Sequence, residues 1–390
     1  MEENKNSYSG IKGFFLGVLV TLAVGSAVFL VKNWDYVVHK EMKPTELGAK
    51  TKVSDIYERI QDAYLGEIDD EKLTDYMCTG LVAGLEDKYS TYYTQEQYEK
   101  MIESANGHYS GIGISILADE SGKVVIESCG ENTPAAEAGI TAGDILLEID
   151  GTRVTGMTAS EAAKLIQNKK EGEVFSMTLN REGKDYTVEI AVREVEAISV
   201  AGSMLDEQVG YIRISEFTGV TSQQFADSYQ KLKDQNMTKL IIDLRSNPGG
   251  LVSGVCDTLR QILPKGLIVY TEDKYGNRKE QTCDGETPID IPMVVLVNGS
   301  SASASEIFAG AVQDYGVGTI VGTVTYGKGV VQDTYPLDKG GAVKLTVSHY
   351  FTPKGNDING KGITPDVVCE LPDDASEDLQ IEKAKEILGR

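Results

Sequence analysis

The sequence predicts a multidomain α+β protein with an N-terminal transmembrane helix, a helical lead-in, a compact α+β module and an α/β core built from βαβ units. Three observations lead to this prediction. An uncharged apolar run occupies residues 13–31, the pattern changes from helical to strand-rich at Gly107, and apolar strands alternate with helices from about residue 198. For 390 residues, length alone suggests about two or three domains.

The uncharged run from Gly13 to Val31 has 19 residues and lies between Lys12 and Lys32. As a helix rising about 1.5 Å per residue, it would nearly cross the roughly 30 Å hydrocarbon core of a bilayer. A soluble core helix rarely stays apolar on every face for so long. The small residues at 25–27 fit a signal-peptide cleavage site, which is the alternative. Because the apolar run continues past them, we expect an uncleaved anchor.

The flanks of this run indicate its orientation only weakly. Two lysines precede it and three follow within a similar reach, so the positive-inside rule is equivocal. A short N-terminus before a large domain is compatible with residues 1–12 in the cytoplasm and a polar stalk at residues 32–50. The expected topology is therefore a single-pass cell-membrane protein whose bulk is extracytoplasmic.

Residues 51–106 form the helical lead-in, because apolar residues recur there at four-residue steps, at Ile56 and Ile60 and again from Leu73 to Leu85. Short strands with two helices then predict a compact α+β module at residues 107–197. Its expected strands are 109–116, 124–126, 144–149, 175–179 and 186–192, and its expected helices are 134–139 and 159–166.

Residues 198–372 form the predicted core. Its expected strands are 209–214, 239–244 and 293–297, and its expected helices are 222–233, 252–262 and 305–315. Continuous apolar strands between helices imply a sheet buried on both faces. The acidic residues 373–390 are expected to form a solvated terminal helix or tail.

Composition excludes some functions. With 37 Lys+Arg against 60 Asp+Glu, the net charge of −23 opposes binding to a phosphate backbone, and no basic run offsets it. The three histidines, His39, His108 and His349, are too scattered for a zinc site, so a hydrolytic base should come from another residue type. The five cysteines show no CxxC pair, and their odd number argues against a disulfide framework.

Three loops of the core hold the informative residues. The first, Asp243-Leu244-Arg245-Ser246-Asn247-Pro248-Gly249-Gly250, joins an apolar strand to a helix. Its paired glycines let backbone N–H groups face an anion without side-chain obstruction. An ordinary strand-to-helix turn explains the same residues equally well.

The second loop, residues 298–306, is serine-rich and again joins an apolar strand to a helix. A nucleophile at a helix N-terminus gains from the dipole and the free N–H groups as negative charge develops. However, Ser303-Ala304-Ser305-Glu306 also fits a capping box, in which Ser303 is only an N-cap. Both interpretations stay open on this segment alone.

The third loop places Lys328 between Gly327 and Gly329. If the following residues are extended, Lys328 and Gln332 share a face, and Gln332 could orient the lysine amine. A lysine buried away from water can lose its proton and serve as a base. Gly322 to Lys328 also matches most of a phosphate-binding loop, but the Ser or Thr that should follow is a glycine, which argues against nucleotide binding.

Together these motifs resemble the carboxyl-terminal processing peptidases, also called tail-specific proteases. Asp243-Leu244-Arg245-x-Asn247-Pro248-Gly249-Gly250, Ser301-Ala302-Ser303-Ala304-Ser305-Glu306 and Gly327-Lys328-Gly329-x-x-Gln332 occur in the family's order. The module at 107–197 resembles the family's PDZ domain, and Gly360-x-Gly362-Ile363-x-Pro365-Asp366 resembles its closing motif. Leu85-x-x-x-Tyr89-Ser90 is similar to its helical lead-in.

The resemblance implies a serine endopeptidase with a Ser–Lys dyad and no cofactor or metal. Ser303 would be the nucleophile, Lys328 its general base, and Gln332 the residue that holds Lys328. The backbone N–H of Ala304, with that of Gly249 or Gly250, would form the oxyanion hole. Substrates would be protein C-termini, bound through the PDZ carboxylate-binding loop, which the resemblance places at Gly111, Ile112, Gly113 and Ile114.

Two segments depart from the family's pattern. The lead-in has Glu86-Asp87-Lys88 where the family often has Asp-Pro, and residues 167–172 lack the arginine that follows the PDZ helix in many relatives. In some relatives that arginine couples peptide binding to activation of the protease. The sequence does not predict activation by the same contact here, and Lys169 or Lys170 are the available substitutes. The alternative function is a catalytically inactive PDZ scaffold. The other expected partners are the membrane, through residues 13–31, and further copies of this chain in a homo-oligomer. Nucleic acid is not an expected partner.

Overall fold

The computed structural model describes residues 47–119, 122–286, 288–372 and 377–389 of the 390. The predicted anchor at 13–31 lies outside these residues, as do residues 1–12 and most of the stalk. None of the helices in the described ranges combines the length and apolarity needed to cross a bilayer. The chain divides into two compact units, residues up to Thr74 and residues from Asp75 onward.

The helices are α1 (Leu47–Ala63), α2 (Asp70–Ala83), α3 (Gln95–Asn106), α4 (Pro134–Glu137), α5 (Ala159–Gln167), α6 (Thr221–Asp234), α7 (Val252–Leu259), α8 (Ala304–Tyr315) and α9 (Leu379–Ile387). Capping explains several of their ends. Thr94 and Thr158 accept hydrogen bonds from backbone N–H groups at the starts of α3 and α5, each within a complete capping box. Gly107 and Gly316 follow α3 and α8 in the left-handed conformation.

The α+β module has one antiparallel sheet, in the order β3 (Ile114–Ala118), β4 (Val124–Cys129), β5 (Ile145–Ile149), β7 (Val174–Arg181) and β8 (Lys184–Ala191), with β6 (Thr152–Arg153) beside β5. A separate two-stranded ribbon joins β2 (His108–Gly111) to β9 (Arg193–Glu196). The sequence predicts one strand over 109–116. The chain instead turns between β2 and β3, where Gly113 has a φ of +82°.

The core contains a six-stranded sheet in the order β10 (Val200–Met204), β11 (Val209–Ile214), β12 (Lys239–Asp243), β15 (Met293–Val297), β16 (Thr319–Gly322) and β19 (Val367–Val368). Only β10 pairs antiparallel within it. All five residues of β15 are buried. One face contributes Ile242 and Val295 to the main core cluster, and the other contributes Ile241 and Val294 to a smaller one. The prediction of a sheet buried on both faces is confirmed.

A second sheet of the core consists of β1 (Thr91–Tyr93), β13 (Gly266–Asp273), β14 (Arg278–Cys283), β17 (Val330–Pro336) and β18 (Ala342–Phe351). All of its pairings are antiparallel. The long strand β18 pairs with β17 along one edge and with β1 and β13 along the other. This sheet brings the lead-in segment to the strand that follows Lys328.

The terminal helix α9 is not solvated, and this expectation was wrong. Gln380, Ala384 and Leu388 are buried, and Ala384 and Leu388 belong to the cluster that covers one face of the parallel sheet. Arg245 also holds the start of α9, because its guanidinium contacts Asp378 at 2.8 Å. The acidic composition of this segment hides an apolar stripe that packs on the core.

Candidate active site

The loop after β12 is shaped by Asn247, which is fully buried. Its Nδ2 donates to Ile214 O at 2.9 Å, and its Oδ1 accepts a hydrogen bond from Gly249 N–H at 2.8 Å. Gly249 and Gly250 have φ of +112° and +126°, a range that L side chains rarely adopt. A Cβ on Gly250 would lie 2.1 Å from Phe217 O. Only glycine therefore fits the second of the paired positions.

Ser303 is the N-cap of α8, as the capping pattern predicts, but its backbone is unusual. Its φ of +55° is rare for a residue with a Cβ. Its N–H donates to Glu306 Oε2 at 2.8 Å, and its carbonyl accepts a hydrogen bond from Tyr350 OH at 3.0 Å. These contacts maintain a conformation of the kind that often occurs at functional sites.

Ser301 and Ser305 are fully buried on either side of Ser303 and contact the loop after β12. Ser301 Oγ donates to Leu244 O at 2.8 Å, and Ser305 Oγ donates to Asn247 O at 3.0 Å. The alternation of the three serines therefore has a structural explanation. Ser301 and Ser305 hold the loop after β12 (residues 243–250, the glycine loop) against the start of α8. Ser303, between them, is half-buried.

Glu306 connects Ser303 to the loop that carries Lys328 (residues 323–329, the lysine loop). Its carboxylate is fully buried and accepts hydrogen bonds from Thr325 Oγ1 at 2.6 Å, from Gly327 N–H at 2.7 Å and from Lys328 N–H at 2.9 Å, besides that from Ser303 N–H. The sequence indicated Glu306 only as a partner in a capping box. Its contacts with the lysine loop, about 20 residues away along the chain, have no signal in that short motif.

The amine of Lys328 is half-buried, and burial is the main reason why its pKa is below the ordinary lysine value. The neighbouring ammonium of Lys344 lowers the pKa further, while three groups act in the opposite direction: Tyr326, Asp87 and Glu306. The amine lies 4.7 Å from the centroid of the Tyr89 ring. A lysine can act as a base only when its amine is neutral. The lowered pKa makes the neutral amine available at a lower pH than usual.

The predicted site residues do not all meet. No hydrogen bond between Ser303 and Lys328 side chains occurs among the described residues, although their backbones share Glu306. Gln332 Nε2 donates to Thr346 Oγ1 at 3.3 Å rather than contacting Lys328. The expectation that Gln332 and Lys328 share a face assumed regular alternation, and β17 has a shift in register between Val331 and Gln332.

The backbone N–H groups predicted to form the oxyanion hole differ in whether they are already hydrogen-bonded. Gly249 lies close to the start of α8, since a Cβ on it would be 2.9 Å from Ala304 N. However, Gly249 N–H already donates to Asn247. In the described part of the chain, no acceptor is found for the N–H groups of Gly250 and Ala304. These two groups are the donors available to a developing negative charge.

The loop from Gly111 to Ile114 in the α+β module has the form expected for carboxylate binding. Ile112 O accepts a hydrogen bond from Ala135 N–H at 3.0 Å, and Gly113 O accepts one from Gly130 N–H at 2.9 Å. The N–H groups of Ile112 and Gly113 have no acceptor within the described ranges. Fixed carbonyls and unused N–H groups suit a peptide carboxylate.

Lys169 is one of the two possible substitutes for the missing arginine near residues 167–172. Its amine contacts Asp150 Oδ2 at 2.5 Å and Glu173 Oε1 at 2.9 Å, both within the α+β module, and its side chain is 20% exposed. In this structure Lys169 is therefore paired within the module.

Comparisons with known proteins agree with these features. Residues 208–369 match peptidase family S41, residues 125–181 match a PDZ domain, and residues 24–97 match the N-terminal domain of the activating protease CtpB. A carboxy-terminal-processing protease of Bartonella bacilliformis is 36% identical over 82% of this chain and 74% of its own length. The carboxy-terminal processing protease CtpA of Bacillus subtilis is 34% identical over 93% of this chain and 78% of its own.

A solved S41 protease structure from Bacteroides fragilis aligns with a TM-score of 0.54 over 83% of this chain and 92% of that one. Its sequence identity of 14% supports the fold alone.

Proposed function

Because this chain belongs to the carboxy-terminal processing serine proteases of peptidase family S41, we propose that it hydrolyses peptide bonds with Ser303 as nucleophile and Lys328 as general base. The observation that carries this proposal is the shared carboxylate of Glu306, which hydrogen-bonds to the backbone N–H groups of both residues. Two residues 25 positions apart are thereby linked through one buried group.

In the proposed reaction, the neutral Lys328 amine takes the Ser303 proton as Oγ attacks the scissile carbonyl. The N–H groups of Ala304 and Gly250 stabilise the resulting oxyanion, with Gly249 shaping the loop. The Lys328 ammonium then gives its proton to the leaving amine, and the C–N bond breaks. Water attacks the acyl-enzyme with Lys328 again as base, which releases the second product and restores Ser303.

Gln332 is proposed to bind the Lys328 amine when substrate is present. Its 3.3 Å hydrogen bond to Thr346 is long, and its side chain is only partly buried, so the amide has room to exchange partners. Replacing Gln332 by Ala should then reduce kcat, whereas loss of the Thr346 hydroxyl should not.

The substrates are proposed to be protein C-termini captured by the PDZ loop at residues 111–114. The enzyme is further proposed to be anchored in the cell membrane by residues 13–31, with the peptidase outside the cytoplasm, on the strength of the uncharged run alone. Protease added to cells with an intact cytoplasmic membrane should digest the C-terminal domain if it lies outside the cytoplasm; digestion only after that membrane is opened would contradict this topology.

The main experiment compares the wild type with Ser303→Ala and Lys328→Ala on a disordered protein that has an apolar C-terminus. Both variants should lose activity by about 10³-fold or more. In the wild type, kcat/KM should rise with pH through a midpoint below the ordinary lysine value of about 10.4, because the base works only when neutral. Undiminished cleavage by Ser303→Ala would refute the nucleophile. Wild-type protein that binds C-terminal peptides without cleaving them would favour a scaffold.

A further inference from the structure

The lead-in motif Leu85-x-x-x-Tyr89-Ser90 has no role in the mechanism above, yet it lies against the lysine loop. Ser90 Oγ donates to Asp87 Oδ2 at 2.6 Å and accepts a hydrogen bond from the N–H of Thr346 in β18 at 3.1 Å. The next residues form β1, which also pairs with β18. The segment is therefore fixed to the sheet whose strand β17 begins two residues after Lys328.

Lys88, in the lead-in segment that departs from the family's pattern, makes a direct contact with the lysine loop. Its Nζ donates to Tyr326 OH at 3.1 Å and lies 4.7 Å from the centroid of the Tyr89 ring. Tyr326 precedes Lys328 by two residues. The contact therefore links the lead-in, next to Tyr89, to the lysine loop.

Tyr89 is the aromatic neighbour of the Lys328 amine, with a centroid-to-Nζ distance of 4.7 Å. No hydrogen bond from this amine to an acceptor occurs among the described residues, and the Gln332 amide contacts Thr346 instead. We propose that Tyr89 is a positioning residue, whose ring face holds the amine of Lys328. This proposal rests on the Ser303–Lys328 dyad proposed above.

The Tyr89 ring and the burial of Lys328 favour different protonation states of the Lys328 amine. Burial favours the neutral amine that can accept a proton, but the proton transfer creates an ammonium in a poorly hydrated place. The negative face of an aromatic ring within about 6 Å attracts that ammonium without requiring water. Tyr89 thus stabilises the protonated lysine at the step where it forms, and it restrains the flexible side chain before that step.

Several charged or titratable groups face the same amine, and each contributes to its protonation. They are Lys344 on β18, Glu306 on α8, Tyr326 in the lysine loop and Asp87 in the lead-in. Lys88 lies over the same Tyr89 ring. Tyr89→Leu removes the ring together with the contacts of the Tyr89 side chain with Lys88 and Tyr326. Tyr89→Phe removes only the hydroxyl, so the difference between the two variants reports the ring.

The experiment measures kcat/KM against pH for the full-length wild type, Tyr89→Leu and Tyr89→Phe. Without the ring, the ammonium is less stable, so the ascending limb of Tyr89→Leu should move to lower pH by about half a unit. The kcat of Tyr89→Leu should fall by roughly tenfold or more, because the amine is no longer held. Tyr89→Phe keeps the ring and should restore the position of the limb.

Tyr275→Leu is the matched control, because Lys274 lies 5.1 Å from the Tyr275 ring in the turn between β13 and β14. A limb of Tyr89→Leu that stays in place, or that moves to higher pH as entry of water would cause, overturns the assignment. Lys328→Met distinguishes this failure from failure of the dyad. If Lys328→Met keeps its activity, the dyad is wrong; if it is inactive while the Tyr89→Leu limb is unmoved, only the role of Tyr89 is wrong.

Discussion

The carboxylate of Glu306 illustrates how one buried residue can organise a site. An ionised group away from water is costly unless donors surround it, and here two donors reach each oxygen. Oε1 accepts hydrogen bonds from Thr325 Oγ1 and Gly327 N–H, and Oε2 from the N–H groups of Ser303 and Lys328. The position of the proposed nucleophile is thereby linked to that of the proposed base.

Replacing Glu306 by Gln tests this linkage with almost no change in shape. A glutamine amide has only one acceptor oxygen. Its NH2 group would take the place of the other carboxylate oxygen and would face two hydrogen-bond donors. We expect kcat to fall by at least about tenfold and the free energy of unfolding to fall by roughly 1–3 kcal/mol. Glu207→Gln, at an exposed position between β10 and β11, is the control. Equal activity of the two variants would show that Glu306 does not organise the site.

At the scale of elements, the glycine loop after β12 and the start of α8 form one unit. Ser301 and Ser305 donate to carbonyls of that loop, and Ala302 N–H donates to Asn247 O at 3.0 Å. These bonds fix the distance between the Gly250 and Ala304 N–H groups, which the proposed oxyanion hole requires.

Ser301→Ala and Ser305→Ala should therefore impair catalysis more than binding. Each removes a donor from a buried carbonyl, which costs about 1–3 kcal/mol of stability. We expect kcat to fall by roughly tenfold with KM little changed, and affinity for a peptide boronate, which forms a tetrahedral adduct, to fall in parallel with kcat. Ser300→Ala, one residue earlier and exposed, is the control. A loss confined to KM would contradict this role.

The elements that the sequence predicted well are those with a strong local pattern. β11 and β15 agree with their predicted bounds residue for residue, because each ends against residues that interrupt a strand: Gln208 and Ser215 around β11, and Pro292 and Asn298 around β15. The second sheet was not predicted. β14 and β18 carry polar residues without a continuous apolar run, and the run in β13 is confined to residues 267–270. Their pairing depends on contacts far apart in sequence, which a local pattern cannot reveal.

The same limit applies to the candidate site. Ser303 and Lys328 could be proposed from the sequence because the short motifs around them resemble those of the family. The contact of Lys328 with Tyr89 could not, because 239 positions of chain separate them and it depends on the pairing of β1 with β18 and on the long-range contacts of Lys88 and Ser90. The register shift in β17, which moves Gln332, likewise leaves no signal in the residues around it.

At the scale of the whole molecule, the PDZ module is tied to the core where its chain enters and leaves. Ala197 N–H donates to Gly107 O at 2.8 Å, so the two ends of the module meet. On the core side, Gln224 of α6 donates to Glu196 Oε1 at 2.7 Å and to Ala197 O at 2.8 Å. The proposed capture of a C-terminus by the module would therefore take place on a domain that is hydrogen-bonded to the core at its point of attachment.

If capture uses the carboxylate loop, blocking the loop should abolish the preference for a free C-terminus. Gly113 has a φ of +82°, and a Cβ on it would lie 2.3 Å from Thr133 Cβ, so Gly113→Ala must distort the loop. The wild type should cleave a peptide with a free carboxylate at a KM about tenfold below that of its C-terminal amide. In Gly113→Ala the two values should converge, while the reaction of Ser303 with a phosphonate probe continues. Gly151→Ala, with a φ of +71° and open space around it, controls for backbone strain alone. Retention of the carboxylate preference in Gly113→Ala would place substrate capture elsewhere on the molecule.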